Sequence, residues 1–265
     1  MDAGDVPEEQ SHRPAAVIVG AGGALGGASA VALAQRGFAC LVTGRTAQSL
    51  QATVHAVERV GGQAIAVTAD ASQESGVERI FAACERQLGP CDVLLHAAAV
   101  QGPTAPLVEI SLGEWESVLS VNLGSAFLCA RAALRQMLPR KRGSIIFVSS
   151  ADALRGFPMT GPYAATKSAL TGFARALSAE ARDEGIRVNV LSPGPMPEAA
   201  IYQTAVGGIA QRLGMQAADV VASVTGARRG YDAREIARGA VFLATGDSSA
   251  MTGQSLVMDS LITQV

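Results

Sequence analysis

Val17-Ile18-Val19-Gly20-Ala21-Gly22-Gly23-Ala24-Leu25-Gly26-Gly27 carries three β-branched apolar residues into five glycines within eight positions. The surrounding run from Pro14 to Gln35 holds no charge and follows Arg13, the outline of a secretory leader or a membrane span. Each glycine would weaken a continuous helix by roughly 1 kcal/mol relative to alanine. A buried strand, a glycine turn and a buried helix account for the same residues without that penalty, so a soluble α/β element is expected and no membrane association. Such a turn leaves backbone N–H groups and a helix N-terminus open to an anion, where a side chain would obstruct it.

Outward from this stretch, short β-rich apolar runs alternate with longer helical patterns. Strands are expected at Ala15–Val19, Phe38–Thr43, Ala64–Thr68, Asp92–Ala97, Ser144–Ser149, Arg187–Leu191 and Ser255–Met258, and helices at about 24–36, 46–60, 73–88, 113–138, 161–184 and 233–245. Gly37, Gly61-Gly62, Gly89-Pro90, Gly143 and Gly185 fall where one would end and the next begin. Near-continuous apolar strands alternating with helices predict a doubly wound, Rossmann-like α/β domain, with a parallel sheet of about seven strands covered on both faces. Residues 1–13 read as a flexible acidic tail, 14–265 as the one domain, and 193–229 as a substrate lid or an inserted helix pair that breaks the rhythm.

Composition narrows the function classes. At 265 residues and 49% hydrophobic content the chain can bury a large core, and a net charge of −2 offers no bulk basic field for nucleic acid. Only three histidines occur, widely spaced, so no metal site is expected. Cys40, Cys84, Cys91 and Cys129 show no paired spacing. They read as free thiols in a reducing, cytoplasmic setting.

No acidic residue occurs between Glu9 and Glu58. A dinucleotide fold that prefers NAD offers Asp or Glu at the end of its second strand for the ribose hydroxyls. Here that strand runs into Thr43-Gly44-Arg45-Thr46, and a guanidinium suits a 2′-phosphate. NADP(H) is therefore expected in preference to NAD(H), with NAD(H) left open.

Tyr163-Ala164-Ala165-Thr166-Lys167 places a phenol and an ammonium on one helix face. An unperturbed tyrosine titrates near ~10, and a neighbouring cation lowers that value toward what proton transfer needs. Lys141 and Lys167 are the only lysines, arginine supplying the other 19 positive charges. Random placement would produce this spacing about two times in a hundred.

With these residues the sequence resembles the short-chain dehydrogenase/reductase family, from about Ala15 to Asp259. Tyr163 and Lys167 match its Y-x-x-x-K. Ser150, at the end of Ile145-Ile146-Phe147-Val148-Ser149-Ser150, matches its serine, and Asn122 in Val121-Asn122-Leu123 its helix asparagine. Asp70 in Ala69-Asp70-Ala71 matches the aspartate that contacts adenine, and Pro193-Gly194 the turn at the nicotinamide end. The resemblance implies hydride transfer between a nicotinamide and a secondary alcohol or ketone. Tyr163 would serve as acid/base, Ser150 would hold the oxygen, Lys167 the ribose, and Asn122 would steady a relay water. It also implies a cofactor site from Gly20, Gly22, Gly23, Ala24, Leu25, Gly26, Arg45, Asp70, Ala71, Ala97, Ala98, Lys167, Pro193, Gly194 and Met196. Four departures stand out. Ala24 replaces the second turn glycine and His96-Ala97-Ala98-Ala99 replaces N-N-A-G. Glu198 replaces a hydroxyl residue after the P-G turn, and Asp259-Ser260-Leu261 replaces D-G-G. His96 is expected to pack or hydrogen-bond rather than catalyse.

The substrate pocket is expected to use Ser150, Asp152, Phe157, Tyr163, Met196 and Tyr202, with Ala151, Leu154, Met159, Ile201, Ile209, Leu213 and Met215 nearby and a polar contact open to Asp152 or Arg155. The substrate is a small carbonyl compound or alcohol, with 3-oxoacyl thioesters, cyclic ketones and sugars all open. Apolar residues beyond one face of the two long helices, such as Phe127, Leu128, Ala132 and Ala133, or Ala169, Phe173 and Ala176, predict a homodimer or tetramer, since the family packs these helices between subunits. Two other readings are a dinucleotide-dependent isomerase or dehydratase on this fold and a non-catalytic NADP-binding sensor.

Overall fold

A computed structural model describes residues 13–222, 230–260 and Thr263. The acidic tail at 1–12 and the end of the expected lid at 223–229 lie outside the described residues.

The strands are β1 (Ala15–Val19), β2 (Ala39–Gly44), β3 (Gln63–Thr68), β4 (Cys91–His96), β5 (Gly143–Val148), β6 (Ile186–Pro193) and β7 (Ser255–Met258). They form one parallel sheet in the order β3-β2-β1-β4-β5-β6-β7. The chain winds outward from β1 to β3, returns to β4 beside β1, and winds the other way. The crevice for a ligand opens where the order reverses. The register aligns the rims of that crevice, because Val19 pairs with both Thr43 and His96. Whatever follows β1, β2 and β4 therefore emerges at one level.

The α-helices among the described residues are α1 (Ala24–Gln35), α2 (Ala47–Arg59), α3 (Glu74–Gln87), α4 (Leu112–Leu119), α5 (Ser125–Met137), α6 (Asp152–Arg155), α7 (Gly161–Ala181), α8 (Ala200–Leu213), α9 (Ala217–Val220) and α10 (Ala233–Ala244). The alternation along each strand divides the core. Val17, Leu41, Leu94, Ile145, Phe147 and Val188 pack under α3, α5 and α7. Ile18, Cys40, Val42, Leu95, Ile146 and Leu191 pack under α1, α2 and α10. Each fully buried aliphatic side chain contributes about 1.5–3 kcal/mol, so these two faces supply most of the driving force that holds the crevice open.

Two local features, a π-helical turn and a short helix, depart from the sequence-based expectation, and one segment takes the second of its two expected forms. The single helix expected over 113–138 is interrupted by a π-helical turn at Ser120–Gly124. Its first part, α4, begins at a capping box in which the Ser111 hydroxyl accepts from Glu114 N–H and the Glu114 side chain answers. The described part of 193–229 folds as the helix pair α8 and α9, with Val206, Ile209 and Val220 forming a small core of their own. A short helix, α6, not anticipated, follows β5. By length and hydropathy the run Leu112–Arg140 would suffice to cross a membrane, but Ala126, Cys129, Ala130, Ala133 and Met137 are buried against the sheet.

Candidate active site

The glycine turn leaves β1 at the crevice. Gly20 has φ +86°, and a Cβ there would lie 2.6 Å from the Ala98 nitrogen, so neither conformation nor space admits a side chain. A Cβ on Gly26 would lie 2.3 Å from the Gly20 carbonyl oxygen, so only glycine lets α1 pack this close to β1. Thr43 O accepts from Gly20 N–H and Ala21 N–H, which folds the turn back over β2. At the start of α1, Gly23 makes no side-chain cap and the first turn carries no acid. The amides of Ala24, Leu25 and Gly26 meet no acceptor among the described residues. Uncapped amides at a helix N-terminus behind a glycine cradle fit a pyrophosphate.

A cavity of about 540 Å³ runs from this turn along the ends of the strands. Gly20, Gly22, Gly23, Ala24, Leu25 and Gly26 line one end, joined by Arg45 after β2 and by Asp70 and Ala71 after β3. Asp70 is held by Ser72, whose amide and hydroxyl both donate to Oδ1 at 2.9 and 2.7 Å, which keeps the carboxyl below its ordinary range. Ala97 and Ala98 form the floor, and Pro193, Gly194 and Met196 close the far side. Every residue expected at the cofactor site lines this one cavity, Lys167 included.

At the middle lie Ser150, Tyr163 and Lys167. Tyr163 and Lys167 share the buried face of α7, and the Lys167 Nζ stands 5.5 Å from the centre of the Tyr163 ring. Lys167 Nζ donates to the Val148 carbonyl at 2.7 Å, and the Ser149 hydroxyl donates to the Lys167 carbonyl. These bonds fix α7 to the end of β5, and Ser150 follows directly.

The electrostatics of the triad differ from the expectation. Burial pushes the Tyr163 phenol above its ordinary value, its hydrogen bond with Ser150 pulls it back, and the Asp152 charge raises it again. Burial also brings the Lys167 ammonium down to about 7. Both groups are desolvated together, so each favours its neutral form, and Lys167 does not lower the phenol here as the helix spacing alone suggested.

The Asn122 side chain is bonded within the protein. It is fully buried and outside the cavity wall. Its Nδ2 donates to Val100 O at 3.0 Å and to Thr166 Oγ1 at 3.1 Å, while Oδ1 accepts from Val100 N–H at 2.8 Å. Both side-chain amide hydrogens are engaged by the protein, and through them Asn122 ties the loop after β4 to α7 at the π-helical turn. His96 is likewise structural. Its Nε2 meets Ser125 Oγ at 2.7 Å, and the Ser125 hydroxyl donates to Val121 O, which assigns the ring proton to Nε2. Burial and the Lys167 charge bring His96 to about 3, a neutral ring.

On the substrate side, Asp152, Phe157, Met196 and Tyr202 line the cavity, as do Ala151, Ile201 and Ile209. Leu154, Met159, Leu213 and Met215 do not, and Leu154 and Leu213 are exposed. Arg155 points elsewhere, stacked 6.0 Å over the Phe157 ring. Gln101, Thr160 and Val206 join the wall without having been anticipated. Nothing in the loop after β4 marks Gln101 as a site residue by type or spacing. Glu198 is the first-turn partner of α10, its Oε1 accepting from Ala233 N–H at 2.6 Å, and so belongs to the scaffold.

The family model described as enoyl-(acyl carrier protein) reductase matches residues 20–260. The chain is 34% identical over 252 residues to the short-chain reductase protein NovJ of Streptomyces niveus, covering 94% of each. It is 31% identical over 252 residues to the gluconate 5-dehydrogenase of Gluconobacter oxydans (strain 621H), again 94% of each. Against the 3-oxoacyl-(acyl-carrier-protein) reductase of Bos taurus the identity is 32% over 242 residues, 91% of this chain and 94% of that one. Among solved structures, a single-residue variant of actinorhodin polyketide ketoreductase with NADPH superposes with a TM-score of 0.90 at 25% identity, covering 96% of this chain and 98% of that one. NAD+-bound xylitol dehydrogenase superposes with a TM-score of 0.86 at 28% identity, covering 94% and 98%.

Proposed function

The chain belongs to the short-chain dehydrogenase/reductase family, oxidoreductases of hydroxyl and keto groups, and from that premise we propose that it interconverts a secondary alcohol and a ketone with NADP(H). The observation that carries the reading is convergence. Ser150, Tyr163 and Lys167, from β5 and α7, line the same cavity as the uncapped glycine turn of β1. A nicotinamide dinucleotide, when bound, supplies or accepts the hydride. Tyr163 Oη holds or releases the proton at the substrate oxygen, and Ser150 Oγ donates a hydrogen bond to that oxygen. Lys167, its Nζ 5.5 Å from the centre of the Tyr163 ring, would hold the ribose.

Arg45 supports NADP(H), because it lines the cavity where the second strand ends and that strand end carries no acidic residue. Among the similar structures one holds NADPH and another NAD+, so the preference rests on Arg45 itself. A homodimer or tetramer through α5 and α7 is part of the proposal, supported by the half-exposed Phe127 on α5. The four cysteines are buried free thiols, in keeping with a cytoplasmic location. One observation favours a second reading, isomerisation or dehydration: a buried carboxyl, Asp152, lies beside the triad at about 6.

The test is NADPH absorbance over a panel of carbonyl compounds. Stoichiometric oxidation of NADPH that Tyr163→Phe abolishes supports ketone reduction. Conversion of substrate with no net loss of NADPH selects the second reading. Light scattering at micromolar protein checks the assembly, a monomer overturning that part.

A further inference from the structure

Helix α8 presents two faces. Tyr202, Ala205, Val206 and Ile209 line the substrate end of the cavity. Thr204, Gly208, Gln211 and Arg212, at helical spacing on another side, face residues 102–105 and Glu109 in the segment after β4. That segment enters the cavity wall at Gln101, so the second face of α8 is where two walls of the cavity meet.

The walls touch at Gly208. A Cβ there would lie 2.6 Å from Thr104 Cβ, 2.8 Å from Oγ1 and 3.0 Å from Cγ2. Carbon atoms in contact stand at about 3.5–4.0 Å, so even an alanine side chain demands a separation of roughly 1 Å. Rotating the Thr104 side chain does not clear the clash, because its Cβ stays in place. The neighbouring glycine differs, since a Cβ on Gly207 meets nothing within 4 Å. Both glycines weaken α8 relative to alanine, and only at Gly208 does close approach account for the choice.

The segment opposite is pinned on both sides of Thr104. Asn122 holds Val100 through N–H and carbonyl, and Ala105 N–H donates to Met159 O at 3.2 Å. Helix α8 has fewer ties. Among the described residues its side chains bond to Pro197 O, to its own Ala200 carbonyl, and to Glu109 through the half-exposed Arg212 at 2.6 Å. Forced apart, the two walls separate by movement of α8, and Val206 and Ile209 withdraw with it.

Resting on the alcohol/ketone reading above, we propose that Gly208 is a specificity-determining residue: its missing side chain lets α8 close on Thr104, which brings Val206 and Ile209 in on the substrate and excludes ketones with a bulky group remote from the carbonyl. The same cavity of about 540 Å³ has to admit the dinucleotide, so the place of one wall decides how much is left for the substrate.

The experiment measures kcat/KM for cyclohexanone and 4-phenylcyclohexanone at saturating NADPH, in wild type, Gly208→Ala and Gly207→Ala. The phenyl group is far from the carbonyl, so the pair differs in bulk, and the ratio of the two values cancels general damage to the chemistry. Gly207→Ala controls for helix propensity. The ratio of bulky to compact ketone is expected to rise about tenfold in Gly208→Ala, the low end of what one methylene decides in an apolar pocket. In Gly207→Ala it stays within about threefold of wild type. Thr104→Gly removes the three atoms nearest the new Cβ and, added to Gly208→Ala, restores the wild-type ratio. A ratio unchanged or lowered in Gly208→Ala, an equal rise in Gly207→Ala, or a rise that Thr104→Gly leaves in place overturns the proposal while the alcohol/ketone reading stands. Circular dichroism checks each fold. If Gly208→Ala fails to fold, Arg212→Ala carries the test by freeing the same face from Glu109. The ratio then rises about threefold, the scale of an exposed ion pair, and no rise overturns the proposal.

If wild type reduces neither ketone, the alcohol/ketone reading fails for this pair and binding decides the proposal. Calorimetry then compares the two ketones on each protein saturated with NADP+. A shift toward the bulkier ketone in Gly208→Ala alone supports it; the same preference in all three proteins, or binding of neither ketone, overturns it.

Discussion

The two ends of the cavity are built differently. At the end of β1, β2 and β3 the wall is mostly backbone: a positive-φ glycine, a second glycine packed against a carbonyl, and free amides at the start of α1. At the end of β5 and β6 the wall is side chains from α6, α7, α8 and the loop after β4. A backbone wall tolerates few residue types and suits a ligand of constant shape. A side-chain wall can be rewritten one residue at a time, so the same scaffold accepts different substrates.

The largest effect expected is at the junction of the two ends. If Lys167 acts through the geometry of a compact ammonium, Lys167→Arg loses at least ~100-fold in turnover while fold and assembly survive, since a planar guanidinium cannot reproduce that geometry and a misplacement of about 1 Å costs on that order. Steady-state rates against pH decide it. A variant within threefold of wild type, with the same profile, would make Lys167 a mere charge.

Lys167 also predicts a pH dependence of stability. Its pKa falls from 10.5 to about 7 on folding, so between those values the unfolded chain binds more protons than the folded one, and stability from this group rises with pH. Relative to Lys167→Met, the ligand-free wild type should gain on the order of 2 kcal/mol between pH 7 and 9. Parallel urea titrations at the two pH values would expose a flat difference, which contradicts the burial argument.

The backbone end is tested next. Gly26→Ala drives a Cβ to 2.3 Å from the Gly20 oxygen and should cost about 1–3 kcal/mol by overpacking, with dinucleotide affinity falling alongside. Gly172→Ala in α7, where a Cβ meets nothing within 4 Å, should instead stabilise by about 0.5–1 kcal/mol. Equal effects would dissolve the contrast between a cradle glycine and an ordinary one.

Arg45→Ala is the most selective change. NADPH should bind wild type at least about tenfold more tightly than NADH, roughly 1.4 kcal/mol, and the variant should lose most of that gap with NADH affinity nearly unchanged. Fluorescence titration with both cofactors measures it, and equal affinities in wild type would remove Arg45 from the argument.

What the sequence determined was local. A glycine turn between a strand and a helix, a phenol and an amine four residues apart, and strands with apolar residues on both faces are patterns whose physics is contained within a few neighbouring residues. They were enough for the sheet, the cofactor end and the triad. The interruption at Ser120–Gly124 was not legible, because Val121-Asn122-Leu123 is ordinary helix by propensity. It arises from Asn122 reaching Val100 and Thr166 and from Ser125 meeting His96, partners supplied by distant segments. The pKa directions were not legible either, since spacing brings Lys167 to Tyr163 but only burial sets which protonation state each prefers. Gln101 shows the same division most plainly. It is an ordinary polar residue in its own stretch, and only the tertiary structure buries it in the wall of the cavity.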